Sequence, residues 1–433
     1  MAYTSIMVLR KEYLERLAAW REKQVIKVVT GVRRCGKSTL LELYIDQLKN
    51  SGVSDEQIIS INLEDPENAA LLDHNVLYSH VQKRLCKNKY TYVFIDEVQQ
   101  CVNFEKAVDG LFIKKYVDLH ITGSNAWILS GELTALLSGR YVEISMLPLS
   151  FSEYFAFTVT NSKKKAVDRR AAFDDYLHFG SFPCTAALEL LCSKGADHGL
   201  IKTYIDGIYN TILIKDVAKR TGITDVSLLE NIIKFLSHSV GSPISAKKIS
   251  DTINSSGRKI SPNTVEAYMR ALTDSFIFYH VNRYDIKGKQ HLKTLSKYYI
   301  VDTGIRNMLL ESSSPDMGHQ LENIVYLELL RRGCRVSVGK FAEKEVDFVT
   351  VGAELRGGQG TAKAEILGGT AYYQIAASVL DPNTLARELA GLRQIRDNHP
   401  KYLLTLDDIP SQANYDGILQ RNLIEWLLEK TTG

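Results

Sequence analysis

One segment sets the architecture of this chain, and it reads Val25-Ile26-Lys27-Val28-Val29-Thr30-Gly31-Val32-Arg33-Arg34-Cys35-Gly36-Lys37-Ser38. Its first six residues are mostly β-branched and predict a buried strand. An amphipathic helix is predicted directly afterwards from four apolar residues at helical spacing, Leu40, Leu41, Tyr44 and Leu48. Between strand and helix, residues 31–38 fit the pattern G-x-x-x-x-G-K-[ST], which is typical of a phosphate-binding loop.

The phosphate-binding loop predicts a site for ATP and Mg²⁺. Gly31 and Gly36 let backbone amides converge on phosphate oxygens at the start of a helix, where the helix dipole favours anions. Lys37 is expected to bridge the β- and γ-phosphates, and the Ser38 hydroxyl is expected to ligate Mg²⁺. Thr39 follows in the chain and is expected to bind the same nucleotide.

A phosphate-binding loop predicts a second strand that ends in acidic residues. The apolar run from Tyr92 to Ile95 is followed by Asp96 and Glu97. Asp96 is expected to hold Mg²⁺ through its water shell, and Glu97 to orient and activate the attacking water. The pair therefore suggests hydrolysis as well as binding. The alternative is that the two carboxylates simply cap the next helix.

The next predicted strand, Leu119 to Thr122, leads to a hydroxyl and an amide at Ser124 and Asn125. Either side chain could sense the γ-phosphate or position water, because parallel strands end at the same edge of a sheet. A helix cap for residues 127–137 is an equally good interpretation.

Arginines add positive charge near the same motifs. Arg140, at the start of the fifth strand, could neutralise γ-phosphate charge in its own chain or across an interface. A surface ion pair is the alternative. Arg33 and Arg34 lie inside the phosphate-binding loop, and we expect them to be solvated or to face a partner rather than to be catalytic.

Length and composition predict a multidomain protein of the cytoplasm. The chain has 433 residues, 45% hydrophobic and 24% charged, which corresponds to roughly three domains of ordinary globular composition. No run approaches the roughly 18 apolar residues of a membrane helix, and charged residues at 10–15 argue against a signal peptide. The six cysteines form no C-x-x-C pair, so we expect reduced thiols rather than zinc ligands or disulfides.

The order of the patterns predicts an α/β fold in four segments. Residues 1–150 alternate five short strands with amphipathic helices, which predicts a parallel sheet between helical layers. Residues 151–240 predict consecutive amphipathic helices, a helical appendage to the sheet that the family resemblance given below implies to be a lid. Residues 241–312 predict two helices and a hairpin, the layout of a winged helix. After a linker at 312–315, residues 318–433 predict an α/β tail of a helix, strands, a glycine-studded loop and two further helices.

The middle segment carries the basic surplus of the chain. Residues 240–300 hold ten Lys or Arg against four Asp or Glu, although the whole chain has a net charge of only +3. Lysines and arginines that neutralise phosphates give salt-dependent DNA affinity, so duplex DNA is a predicted partner of residues 245–300. Winged helices also dock proteins, and a solvated basic face is the plainer alternative.

An ordered set of motifs resembles the prokaryotic AAA-type ATPases, related to the signal-transduction and origin-recognition ATPases, that carry a C-terminal domain of unknown function. The resemblance covers nearly the whole chain. Its motifs are Val29-Thr30-Gly31-Val32-Arg33-Arg34, Phe94-Ile95-Asp96-Glu97-Val98-Gln99, Ile121-Thr122-Gly123-Ser124, Ser138-Gly139-Arg140, Pro148-Leu149-Ser150-Phe151-Ser152-Glu153, Leu321-Glu322-Asn323 and Glu345-Val346-Asp347-Phe348.

The resemblance implies two further sites. By likeness to the G-x-P turn of the helical lid, Pro183 is implied to pack near adenine. The family's C-terminal domain resembles the restriction-endonuclease-like nucleases, which implies a second metal site at Glu322 and Asp347. The third motif of that fold, E-x-K, is replaced by Gln374-Ile375-Ala376. A charged ligand and the water-activating amine are therefore missing from this motif, and a binding or interaction domain is favoured over an active nuclease.

Together these patterns predict an ATP-hydrolysing molecular switch with a DNA-binding middle segment. The working set is Lys37, Ser38, Asp96 and Glu97. One alternative is a signalling scaffold whose nucleotide state controls protein partners. Another is a Mg²⁺-dependent nuclease gated by ATP. No membrane association is expected.

Overall fold

The computed structural model describes residues 8–129, 139–162, 166–192, 198–310, 316–342, 344–352, 369–408 and 413–429. The chain forms two compact units. The first unit comprises the described residues up to Pro148, with Thr211–Val217 and Asp274–Phe276, and the second comprises the rest. The linker at 312–315, most of the glycine-studded loop and most of the helix predicted at 127–137 lie outside the described residues.

The first unit is built on a parallel sheet of five strands, as the sequence predicts. The strand order is β2-β3-β4-β1-β5, and every neighbouring pair is parallel. The strands are β1 Ile26–Thr30, β2 Ile58–Asn62, β3 Thr91–Asp96, β4 Val117–Gly123 and β5 Tyr141–Ser145. Parallel strands place their carboxyl ends along one edge, where α/β proteins bind ligands.

Helices cover this sheet. The α-helices are α1 Lys11–Ala19, α2 Lys37–Asn50, α3 His74–Gln82 and α4 Phe104–Phe112, with 3₁₀ turns at Asp55–Gln57, Pro66–Leu72, Val98–Gln100 and Ala126–Leu129. All residues of β1 and β3 are buried, because helices lie on both faces. A core of Val, Ile and Leu side chains, including Val93, Ile95 and Leu119, packs against α3 and α4.

The helices of the second unit include most of residues 151–240, and the role of this segment as a lid stays a prediction. The helices are α5 Phe151–Asn161, α6 Arg169–Phe179, α7 Pro183–Cys192, α8 Gly199–Thr211, α9 Val226–His238, α10 Ala246–Ser255, α11 Pro262–Asp274, α12 Thr303–Leu310, α13 Met317–Arg331, α14 Pro382–Gln394 and α15 Leu423–Leu428. A π-helical turn, Ile212–Ala218, follows α8, and a short helical turn spans Lys219–Thr221. Among the helices in the described ranges, none has both the length and the apolar character needed to span a membrane.

An eight-stranded mixed sheet forms the core of the second unit, in the order β12-β13-β11-β10-β9-β8-β6-β7. The strands are β6 Phe278–Asp285, β7 Gln290–Ile300, β8 Arg335–Phe341, β9 Lys344–Val351, β10 Thr370–Ile375, β11 Lys401–Thr405, β12 Asn414–Tyr415 and β13 Ile418–Asn422. The sequence patterns identify β6 to β10 but miss β11 to β13.

The predicted wing is a hairpin within this larger sheet. The two helices before it begin at serine caps, since Ser245 and Ser261 each accept a backbone hydrogen bond from the first turn. The hairpin β6–β7 is antiparallel, and β6 also pairs in parallel with β8 of the C-terminal part. The segments 241–312 and 318–433 therefore share one sheet, and the boundaries drawn at 240 and 312 both fall inside the second unit.

Candidate nucleotide site

The phosphate-binding loop joins the carboxyl end of β1 to the start of α2. Gly31 has φ +152° and Gly36 has φ +103°, which are backbone conformations that L side chains rarely adopt. At Gly31 space is also limiting, because a Cβ atom there would lie 2.1 Å from the carbonyl oxygen of Met146. These two positions therefore need glycine, and Gly36 lets α2 begin with its amides directed at the loop.

Lys37 is buried at the centre of the loop, with 4% of its surface exposed. Its Nζ atom donates hydrogen bonds to the carbonyl oxygens of Gly31, at 3.0 Å, and Val32, at 3.3 Å. The same ammonium lies 3.6 Å from Oε1 of Glu97. The loop thus holds a desolvated positive charge where the sequence predicts phosphate binding.

Asp96 lies at the end of β3, the strand separated from β1 only by β4. Its carboxylate accepts hydrogen bonds from the hydroxyls of Ser38 and Thr122. Burial raises the pKa of Asp96 above the usual value, although these two hydrogen bonds oppose the shift. The hydroxyl of Ser38 and the carboxylate of Asp96 are oxygen donors of the kind that Mg²⁺ prefers, and they are in contact.

Glu97 follows Asp96 in the left-handed conformation, with φ +51°. Its amide donates to the hydroxyl of Thr122 at 2.9 Å, and its carboxylate accepts from the side-chain amide of Gln99. Burial disfavours the charge on this carboxylate, but the charges of Lys37 and Arg33 prevail and hold the pKa of Glu97 below the usual value. Glu97 is therefore an ionised carboxylate in a buried site, as a base for water requires.

The hydroxyl and amide predicted after β4 are both buried, and Ser124 joins the site directly. The Ser124 Oγ atom accepts from Nε2 of Gln99 at 3.3 Å and donates to Oδ1 of Asp216 at 3.4 Å. Asn125 is 1% exposed beside it. The predicted roles of Asn125 in sensing phosphate or positioning water stay predictions.

Arg33 differs from its prediction. It is only 7% exposed, and its guanidinium donates to Asp216 through Nε at 2.9 Å and to Glu64 through Nη1 at 2.8 Å. The expectation of a solvated Arg33 is therefore wrong, because two carboxylates compensate its burial. Arg34 is exposed, as predicted.

Asp216 is a member of this site that the sequence analysis missed. It comes from the π-helical turn, far from the loop in sequence, and the segment Thr211–Val217 belongs to the first unit. Sequence spacing gives no signal for such a contact.

Arg140 lies at the amino ends of the strands, whereas the phosphate-binding loop lies at their carboxyl ends. The carbonyl of Arg140 accepts from the amide of Ile26 at 2.8 Å, at the amino end of β1, whereas Gly31 follows the carboxyl end. Five residues at about 3.3 Å each separate these ends by roughly 16 Å. Arg140 therefore cannot act on phosphate in its own chain. It forms an exposed ion pair of 2.7 Å with Asp109, the alternative given above.

Glu322 and Asp347 lie in a charged cluster of the second unit. Oε1 of Glu322 accepts from Lys297 at 2.9 Å and from Tyr299 at 2.6 Å. Oδ2 of Asp347 accepts from the amide of Ile375 at 2.8 Å, and burial together with the Glu322 charge raises the pKa of Asp347 well above the usual value.

Lys297, which no sequence motif indicates, brings an amine to this cluster from β7. Its Nζ atom also lies 2.7 Å from Oε1 of Glu345. Gln374, at the place of the expected charged ligand, binds Glu388 through its amide instead. Within the described ranges, no group of three or more His, Cys, Asp or Glu residues is arranged to hold a metal ion. The second metal site stays a prediction.

Two other predicted regions belong to the second unit. Pro183 is the first residue of α7, a position that favours proline, and its contact with adenine stays a prediction. Most of the basic residues of the middle segment are exposed: Lys247, Lys248, Lys259, Arg270, Lys287 and Lys289. Arg258 instead forms an ion pair with Asp225.

Comparisons with known proteins agree with the geometry of the first unit. A family model described as an AAA domain matches residues 23–155, and one described as a domain of unknown function (DUF8612) matches residues 170–316. The Walker-type ATPase of Pyrococcus abyssi aligns in structure with a TM-score of 0.51 and 14% identity, over 70% of this chain and 96% of that chain. At this identity the likeness concerns the fold alone.

Two relatives are similar in sequence over most of their length. An uncharacterized protein of Haemophilus influenzae is 37% identical over 98% of this chain and 99% of that protein. An uncharacterized protein of Methanocaldococcus jannaschii is 31% identical over 76% of this chain and 72% of that protein. The chain therefore belongs to the family of these two proteins, and its residues 23–155 are similar to an AAA domain.

Proposed function

We propose that this protein is an ATP-binding and ATP-hydrolysing molecular switch. The observation that carries the proposal is the convergence of Lys37, Asp96 and Glu97 at the carboxyl edge of β1 and β3. Lys37 supplies an ammonium at the start of α2, Asp96 a carboxylate that accepts from two hydroxyls, and Glu97 an ionised carboxylate. Phosphoryl transfer to water uses groups of these kinds.

Each residue has a part in the proposed reaction. The amides of the loop and Lys37 bind the phosphates and withdraw charge from the transferred group. Ser38 and Asp96 would hold Mg²⁺, which supplies further charge neutralisation when bound. Glu97 accepts a proton from the attacking water, and Gln99 and Thr122 fix its position.

Calorimetry with Mg²⁺ and ATP tests the binding step. Lys37→Ala is expected to weaken binding by at least about 30-fold, because a charged hydrogen-bond donor is lost. Lys49→Ala is a matched control, since Lys49 lies near the other end of α2 in an exposed ion pair with Asp55. Wild-type protein that binds neither ATP nor ADP would contradict the proposal.

We further propose that the switch binds duplex DNA through the basic residues of the middle segment. The exposure of these residues supports DNA binding. The alternative is a nucleotide-controlled scaffold for protein partners, and the incorporation of the hairpin into the larger sheet supports this alternative. Binding that does not respond to salt, or no DNA binding, favours the scaffold.

A second candidate is a Mg²⁺-dependent nuclease gated by ATP, and Lys297 is the observation that favours it. Its amine lies 2.9 Å from Glu322 and 2.7 Å from Glu345, so the cluster regains the amine that the motif at 374–376 lacks. Incubation of plasmid DNA with Mg²⁺ and ATP tests this activity. Cleavage by wild-type protein that is lost in Asp347→Asn and in Lys297→Met supports it, and intact plasmid throughout counts against it.

A further inference from the structure

Asp216 is bound in the same way as a phosphate group would be. Arg33 donates to its carboxylate through two nitrogen atoms, Nε at 2.9 Å and Nη2 at 3.4 Å, and Ser124 donates a hydroxyl at 3.4 Å. Carboxylates and phosphates both accept hydrogen bonds from two nitrogen atoms of one guanidinium, and both can also accept from a hydroxyl. Asp216 is 4% exposed, so this is a desolvated interaction.

The charges around the loop make this carboxylate unexpected. Apart from Arg10, which donates to the loop carbonyl of Cys35, and the exposed Arg34, the described charges at the site are two cations, Lys37 and Arg33, and four carboxylates, which are Asp96, Glu97, Glu64 and Asp216. Two positive and four negative charges give a formal sum of −2, although the loop geometry is suited to an anion. Asp216 contributes one negative charge that neither Mg²⁺ binding nor water activation uses.

We propose that Asp216 is a built-in anion that competes with the γ-phosphate of ATP for Arg33 and Ser124. The inference rests on the proposed function and goes further by assigning a sensor of the third phosphate. ADP, which lacks that phosphate, leaves Asp216 in place. ATP displaces it, because Arg33 then pairs with the more highly charged phosphate.

The segment that carries Asp216 is suited to pass on this displacement. It forms a π-helical turn, a distorted structure that occurs often at functional sites. The flanking residues, Leu149–Asn210 and Ala218–Thr273, belong to the second unit. Release of Asp216 therefore affects one of the segments at which the chain enters and leaves the first unit.

The test compares the affinities for ADP and for β,γ-methylene-ATP, which cannot be hydrolysed. Calorimetry on the full chain gives the ratio of the two dissociation constants, in which effects common to both nucleotides cancel. Asp216→Asn keeps the shape of the side chain and removes its charge. We expect it to shift the ratio at least about fivefold in favour of the ATP analogue.

Glu67→Gln is the matched comparison, because Glu67 is an exposed carboxylate of the same unit. It removes an equal charge, and we expect the ratio to stay within about twofold of wild type because solvent screens this carboxylate. An Asp216→Asn ratio that is unchanged or lower overturns the inference. If wild-type protein binds neither nucleotide, the proposed function itself fails.

Hydrogen exchange on wild-type protein provides a measurement that needs no variant. Amides of Thr211–Val217 are expected to exchange faster with β,γ-methylene-ATP bound than with ADP bound. Equal exchange in the two complexes overturns the inference even if Asp216→Asn fails to fold.

Discussion

Nζ of Lys37 lies 3.6 Å from Oε1 of Glu97, and both side chains are buried. One of these residues is predicted to bind phosphate and the other to activate water. Lys37 stabilises the charge of Glu97, since it helps to keep the pKa of this carboxylate below the usual value. Bound phosphates must therefore compete with Glu97 for Lys37, which couples binding to the position of the base.

Glu97→Gln is expected to separate binding from turnover. The amide cannot accept the proton of water, so kcat should fall by about 10²–10⁴-fold. ATP affinity should be kept or increased, because Lys37 loses a competing carboxylate. Steady-state phosphate release together with calorimetry measures both quantities. Glu67→Gln, an exposed position of the same unit, is the control. Wild-type turnover in Glu97→Gln would exclude Glu97 as the base.

Gly31→Ala is expected to destabilise the first unit. The new Cβ atom would lie 2.1 Å from the carbonyl oxygen of Met146, and the backbone has φ +152°. Such strain costs about 1–3 kcal/mol of unfolding free energy. Gly207→Ala is the control, because a Cβ atom at this helical position meets no heavy atom within 4 Å. Thermal and urea unfolding compare the two variants, and equal stabilities would contradict the prediction.

His120 is expected to make stability depend on pH. It is fully buried on β4, stacked on Phe94 with ring centroids 4.6 Å apart, and burial lowers the pKa of His120 from 6.5 to about 4. The unfolded chain therefore binds the proton first as pH falls. The stabilising contribution is complete above pH 6.5 and is lost towards pH 4.

The loss should reach about 3 kcal/mol relative to His120→Phe, which cannot titrate. Urea unfolding of both proteins between pH 4 and pH 7.5 measures the difference. Parallel pH profiles for the two proteins would show that His120 does not contribute.

Arg140→Ala separates the two remaining roles of this residue. A surface ion pair with Asp109 contributes about 0–1 kcal/mol, so stability should hardly change. We expect turnover per chain to be unaffected as well. Action across an interface would instead give two results. Turnover per chain would be lower in Arg140→Ala than in the wild type, and it would rise with protein concentration in the wild type but not in the variant. ATPase assays over a range of protein concentrations decide between these roles.

Lys247→Ala with Lys248→Ala tests the predicted DNA contact at the start of α10. If both side chains neutralise phosphates, the slope of log affinity against log salt should decrease in magnitude by about 2. Fluorescence anisotropy of labelled duplex DNA over a salt series measures this slope. Lys87→Ala with Lys89→Ala, exposed in the first unit, should leave it unchanged.

The strands and the phosphate-binding loop of the first unit could be predicted because their signals are local. β-branched runs mark β1 to β5, and the loop motif fixes the connection from β1 to α2. The arrangement of Asp96 and Glu97 follows from the rule that parallel strands end at one edge. These inferences require only neighbouring residues and one topological rule.

The contacts of Asp216 and Lys297 could not be predicted in this way, because each depends on tertiary packing of distant segments. Strands β11 and β13 were also missed. Both are five residues long, and their mixtures of Lys, Gln, Arg and Asn with apolar residues give no clear alternation. Their identity as strands comes from parallel pairing inside the sheet.

The pairing of β6 with β8 also limits how this chain can be divided. A shortened protein ending at residue 312 would retain the hairpin β6–β7 but lose the pairing of β6 with β8. The freed edge of β6 would expose unpaired amides and carbonyls that invite self-association. The basic middle segment is thus part of the larger sheet. Its replacement by an unrelated domain would also require changes in β8, the strand with which β6 pairs.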